Sequence, residues 1–130
     1  MITCVKVHDF LRSDVPSDQA PQPRVLVDRL WPRGVAKRDL KPEHWLKDVA
    51  PSSELRTWFD HDPERFAEFR RRYVAELDSA EQGDGDARDV DKLLELARSN
   101  ESVTLLFAAK DREVNHAVVL QEWVEGNLRE

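Results

Sequence analysis

The run Val103-Thr104-Leu105-Leu106-Phe107-Ala108-Ala109 constrains the fold more than any other segment. It does not alternate polar with apolar residues, so it fits a strand buried on both faces, and such strands belong to parallel sheets covered by helices. Arg24-Val25-Leu26-Val27-Asp28 is a second run of this kind, bounded by turn signals. The valine-rich stretch from Thr3 to His8 reads as a further strand. Between the second and last of these runs, the apolar period changes from strand-like to helical. Phe66, Phe69, Tyr73, Val74 and Leu77 fall on one side of a 3.6-residue period. Asp62 is positioned to cap that helix and Pro63 to open it.

Shorter helices are expected over 42–49, with Pro42 in the first turn, and over Ser53 to Asp60. Residues 88–98 place Val90, Leu93, Leu94 and Ala97 on one side, with Asn100 as the stop. A final helix begins between Asp111 and His116 and runs to about Asn127, with Ala117, Leu120 and Val124 inward. Two segments break the pattern. Residues 9–23 carry three prolines and small polar residues, and are expected to form a mobile loop; residues 79–87 read as a polar turn with two glycines. The order is β, loop, β, three or four helices, β, helix. It predicts an α/β fold: one layered domain over residues 1–130, with a small, mostly parallel sheet flanked by helices. The long helix-free link between the first two strands leaves their relative direction open.

Composition narrows the functional classes. A chain of 130 residues has enough length for one core and needs no staple. Its single cysteine, Cys4, excludes an internal disulfide and a multi-cysteine metal cluster. No stretch approaches the ~20 consecutive apolar residues of a membrane span. The N-terminus is too short and strand-like for a secretory leader, so a cytoplasmic protein is expected. The net charge of −6 argues against nonspecific nucleic-acid binding. The charge is uneven, however. Residues 24–48 hold seven basic against four acidic side chains, whereas residues 76–101 hold nine acidic against three basic.

Ligands of open α/β sheets gather beyond the carboxyl ends of the strands. Two such ends are readable: Asp28-Arg29-Leu30-Trp31-Pro32-Arg33-Gly34, and Ala108-Ala109-Lys110-Asp111 with Asn115-His116 at a helix start. If the two strands are neighbours, their polar residues converge on an electropositive rim suited to a phosphate, carboxylate or sulfate. Asp28 and His116 are then the candidates for moving a proton. Arg29, Trp31, Arg33, Lys110 and Asn115 are the candidates for holding a ligand. Each has a plainer reading: Asp28 as an ion-pair partner, Trp31 as a covering aromatic, Asn115 as a helix cap, His116 as a satisfied buried histidine, Lys110 as a surface charge. His44, His61 and His116 lack metal-site spacing, and Cys4 with His8, four apart on a strand, is a weak metal pair.

The stretch Val27-Asp28-Arg29-Leu30-Trp31-Pro32-Arg33-Gly34 resembles the domain of unknown function 488 (DUF488) family, in its YeaO-like branch. Three further stretches match it: Trp45 to Pro51, Leu55 to Phe66, and Leu105 to Asp111 with Asn115 to Leu120. The resemblance implies a compact α/β bacterial domain and no established activity. Other branches of the family carry Cys-His-Arg where this chain has Asn115-His116-Ala117, so a thiol mechanism at that corner is closed here.

The leading expectation is a domain that binds or acts on a small anionic molecule, with cofactor and oligomeric state open. The alternatives are a regulatory module contacting protein or nucleic acid, and haem or metal binding through a histidine.

Overall fold

The computed structural model describes residues 2–12, 23–36, 40, 42, 44–81, 88–109 and 114–128. Four strands form one sheet: β1 (Ile2–Lys6), β2 (Arg24–Leu26), β3 (His44–Trp45) and β4 (Val103–Phe107). Their order is β1-β4-β2-β3 and every pairing is parallel. β4 therefore separates the first two strands of the chain. Leu106 is in register with both Val5 and Leu26. All five residues of β4 are buried, as are all three of β2, which is why these two runs lack polar alternation.

The helices are α1 (Val7–Arg12), α2 (Ser53–Phe59), α3 (Phe66–Glu81), α4 (Arg88–Ser99) and α5 (His116–Leu128). The sheet's two faces are unequal. Val25, Val103, Leu105 and Phe107 enter the larger core with the inward sides of α2, α3, α4 and α5. Leu26 and Leu106 point the other way, into a smaller core with Val7, Val35 and Leu40, against which Phe10, Trp31 and Trp45 pack. In α3 the inward residues are Phe69, Tyr73 and Leu77, at helical spacing. Phe69 stacks on Phe59 of α2 at 4.2 Å between ring centroids and meets Tyr73 at 5.7 Å.

Helix ends follow the sequence signals. Ser52 accepts the Leu55 amide at the start of α2. Asp62 caps a 3-10 turn, Pro63–Arg65, that leads into α3. The Asn100 side chain donates to the Leu96 carbonyl at the end of α4.

The expected boundaries need four corrections. β1 stops at Lys6 and His8 lies on α1, so Cys4 and His8 do not share a strand face. Residues 9–12 are helical, and 13–22 of the expected loop lie outside the described residues. α3 continues to Glu81, into the expected 79–87 turn, of which 82–87 are likewise outside the described residues. The helix expected over 42–49 is instead the edge strand β3 and a 3-10 turn, Lys47–Val49. Sheet pairing overrides Pro42 here: His44 and Trp45 pair with Val25 and Leu26, and the Leu46 amide donates to the Leu26 carbonyl at 3.0 Å.

Candidate functional site

All four strands point the same way, so all their carboxyl ends open on one side of the sheet. There lies a cavity of about 970 Å³. Each strand end reaches it: His8 beyond β1, Ala108 and Ala109 beyond β4, Asp28 to Arg33 beyond β2, and Ala50 and Pro51 beyond β3. The adjacent strands β4 and β2 also send their following chain to opposite faces. The chain after β4 forms α5 in the larger core, and the chain after β2 runs through Trp31, Val35 and Leu40 in the smaller one. A crevice opens where such paths diverge, as in other open α/β sheets.

Asp28 ties this divergence together. Its Oδ2 accepts the Ala108 amide at 2.9 Å, joining the ends of β2 and β4. Its main-chain carbonyl accepts the Trp45 indole N–H at 2.8 Å, adding β3. Its Oδ1 lies 3.2 Å from His116 Nε2, at the first residue of α5. The imidazole N–H is directed at the Val27 carbonyl, 3.1 Å away, and Oδ1 is left without a hydrogen bond. With two acceptors beside it, Nε2 is a proton donor. His116 lines the cavity, and its Nδ1 has no hydrogen-bond partner among the described residues and is not a buried atom.

Arg29 is engaged differently from the expectation. One guanidinium nitrogen lies 3.5 Å from Asp48, another donates to the Ala50 and Pro51 carbonyls at 3.4 Å each, and its Nε is buried without a partner. Arg29 thus fastens the segment that follows β3 against the cavity wall. Arg33, two residues beyond Trp31, is exposed and forms no ion pair among the described residues. It sits in a turn that Gly34 closes at φ +74°, a conformation glycine adopts without steric cost. The Val35 amide bonds the Pro32 carbonyl across that turn, and the Trp31 indole donates to the Val35 carbonyl at 2.7 Å. Trp31 meets Trp45 edge-on at 5.3 Å, so it packs as a wall of the cavity. Asn115 is buried and caps α5, its Oδ1 accepting the Val118 amide at 3.0 Å.

Six of the candidates, Asp28, Arg29, Trp31, Arg33, Asn115 and His116, therefore border one cavity. Lys110 lies outside the described residues. A further part of the wall comes from a segment without an expected functional role: Ser53, Arg56, Thr57, Phe59, Asp60 and His61 of α2 and the turn after it. Arg56 is exposed and, like Arg33, forms no ion pair among the described residues. Asp60 and His61 are consecutive left-handed residues, at φ 47° and 54°. Asp and His tolerate this conformation better than most residues, and it turns the chain from α2 toward α3 along the rim. Their signal in the sequence was their place inside the Leu55 to Phe66 family stretch.

Among the described residues, no three His, Cys, Asp or Glu side chains are grouped to hold a metal ion. Cys4 is remote from this chemistry. Its thiol donates to the Ala117 carbonyl at 3.3 Å and to Gln121 at 3.4 Å. Burial, helped by the nearby Glu125 charge, pushes its pKa up to about 12. Also among the described residues, no helix is long and apolar enough to cross a membrane.

Fold and cavity together define an α/β domain with a parallel sheet and an arginine-bearing crevice at its strand ends. The chain belongs to the DUF488 family: the family model described as the inactive DUF488-N3 subclade matches residues 1–130. It is 40% identical over 123 residues to the uncharacterized protein YeaO of Escherichia coli (strain K12), spanning 95% of this chain and 96% of that protein. It is 43% identical over 105 residues to the uncharacterized protein Rv3073c of Mycobacterium tuberculosis, spanning 79% of this chain and 80% of that protein. The uncharacterized protein Mb3100c of Mycobacterium bovis matches to the same extent. No solved structure matches the chain.

Proposed function

We propose that the chain is a binding module for a small organic anion, seated in the cavity at the strand ends and held without covalent turnover. The carrying observation is that Arg33 and Arg56 border the cavity from two separate segments, with no ion pair to any described residue. Two guanidiniums in that position can engage a carboxylate or phosphate bidentately. Arg29 serves as a positioning residue through Asp48, Ala50 and Pro51.

Size favours an organic ligand over a bare inorganic ion. About 970 Å³ lies at the upper end of the roughly 300–1,000 Å³ typical of small-molecule sites. Trp31, Pro32, Phe59 and Phe69 offer apolar wall for the ligand's body. Binding without turnover fits three further facts. The matched subclade is described as inactive. Asn115, where other branches resemble one another in a cysteine, is occupied as a helix cap. The one cysteine of the chain is half-buried against α5 with its thiol held protonated.

Thermal-shift titration with phosphate, phosphate esters and aliphatic and aromatic carboxylates tests this directly, because a ligand that binds only the folded state raises Tm with its concentration. At least one organic anion is expected to stabilise the wild type and to lose that effect in Arg33→Ala and Arg56→Ala. Stabilisation by none of them, or stabilisation unchanged in both variants, overturns the reading.

A further inference from the structure

Resting on that anion-binding reading, we infer that the ligand is an organic acid carrying its own neutral hydrogen-bond donor, a hydroxyl or amide N–H, which His116 Nδ1 selects. Nε2 lies 3.1 Å from the Val27 carbonyl and 3.2 Å from Asp28 Oδ1. Both are acceptors, and a main-chain carbonyl cannot reverse its role. When the imidazole is neutral its proton therefore resides on Nε2, and Nδ1 is an acceptor.

The ring has little freedom to present anything else. His116 opens α5, whose next residue, Ala117, is fully buried, and its ring lies 6.5 Å from that of buried Tyr73. Asp28, which borders Nε2, is itself fixed by the Ala108 amide. Nδ1 consequently stands as a fixed acceptor on a cavity that Arg33 and Arg56 also border, with Asp60 an exposed carboxylate on the turn after α2. A ligand offering only an anionic group would meet the two arginines and leave Nδ1 desolvated without a partner, an unfavourable outcome for a covered polar atom. A ligand with an ammonium as its donor would add a third cation beside Arg33 and Arg56, with the exposed Asp60 carboxylate to offset all three. A neutral O–H or N–H beside the acid group satisfies both requirements. Asp28 and Val27 act here as positioning groups, since they set the tautomer.

A matched set of probes separates this inference from the reading beneath it. Calorimetric titration would use phenylacetate, its 2-hydroxy analogue mandelate (both enantiomers) and uncharged 2-phenylethanol. One mandelate enantiomer is expected to bind about tenfold more tightly than phenylacetate, the usual scale for one hydrogen bond to an otherwise unpaired group. The alcohol, lacking the anion, is expected to bind more weakly than either acid. In His116→Gln the amide N–H can still donate to the Val27 carbonyl while the Nδ1 acceptor is gone, and the mandelate preference is expected to fall to about onefold. Long-range ¹H–¹⁵N spectra of the imidazole read the tautomer independently of any ligand, with the Nε2–H form expected. Equal binding of the two acids, a preference that survives His116→Gln, or an Nδ1–H tautomer overturns the selectivity while the anion site stands. Failure of both acids to bind overturns this inference, while the anion site stands or falls by the thermal-shift panel.

Discussion

Replacing Asp28 with alanine tests whether the cavity is built as described, because that one side chain joins two strands and faces a helix. The substitution removes the 2.9 Å bond from the Ala108 amide. Hydrogen bonds to charged groups contribute roughly 1.5–3 kcal/mol, and the orphaned amide adds to the loss. Against this, alanine also removes Oδ1, a buried oxygen that receives no hydrogen bond and whose retention is unfavourable. The two effects leave a net loss of about 2 kcal/mol. For a chain of 130 residues this corresponds to a Tm lowered by roughly 8 °C, taking about 4 °C per kcal/mol at this size. Asp28→Asn keeps an acceptor oxygen for Ala108 and is expected to lose about half as much. Urea unfolding followed by tryptophan fluorescence measures both, with the dependence on urea concentration unchanged if the native fold is retained. A loss below about 0.5 kcal/mol for the alanine variant would show that the carboxylate does not join the strands, and the derivation of the site from their junction would fail.

Further outcomes follow from other parts of the molecule. Tyr73→Phe removes the buried hydroxyl that donates to the Val49 carbonyl and is expected to destabilise the fold by about 1–3 kcal/mol in the same assay; a change under 0.5 kcal/mol contradicts that bond. Glu68 on α3 is held at a pKa of about 2 by hydrogen bonds from Arg71 and then Arg72. Because its folded pKa is depressed, its contribution is present above the ordinary carboxylate value of 4.5 and fades as pH falls toward 2. The Tm difference between wild type and Glu68→Gln should therefore close across that interval; a difference that widens on acidification contradicts the assignment. Cys4, half-buried and with its thiol pushed up to about 12, should react slowly with an aromatic disulfide reagent at pH 8 in the native protein and at once in denaturant; equally rapid labelling in both states contradicts the raised pKa.

The sheet's centre was legible because Val103 to Phe107 and Arg24 to Leu26 had to be covered on both faces, and each helix period then named its inward side. Legibility failed where structure depends on a partner distant in sequence. His44 and Trp45 are too few to show a period, and only their pairing with Val25 and Leu26 makes them a strand. The junction of Asp28 with His116 could be anticipated from the rule for strand ends, conditional on β2 and β4 being neighbours, and the sheet meets that condition. The engagement of Arg29 by Asp48 and the Ala50 and Pro51 carbonyls could not, because those groups follow an edge strand that was read as a helix. Nor could the arrival of Arg56 and His61 at the same cavity, since nothing in the spacing of α2 relates it to the ends of β2 and β4.

Chemical-shift mapping of the ¹⁵N-labelled protein, titrated with mandelate, tests whether an organic anion enters the crevice that Arg33 and Arg56 border. Shifts are expected to concentrate at Arg29 to Gly34, Arg56 to His61, Ala108, Ala109, Asn115 and His116, including the guanidinium signals of Arg33 and Arg56. Shifts confined to the outer faces of α3 and α4, or none at millimolar ligand, would contradict it.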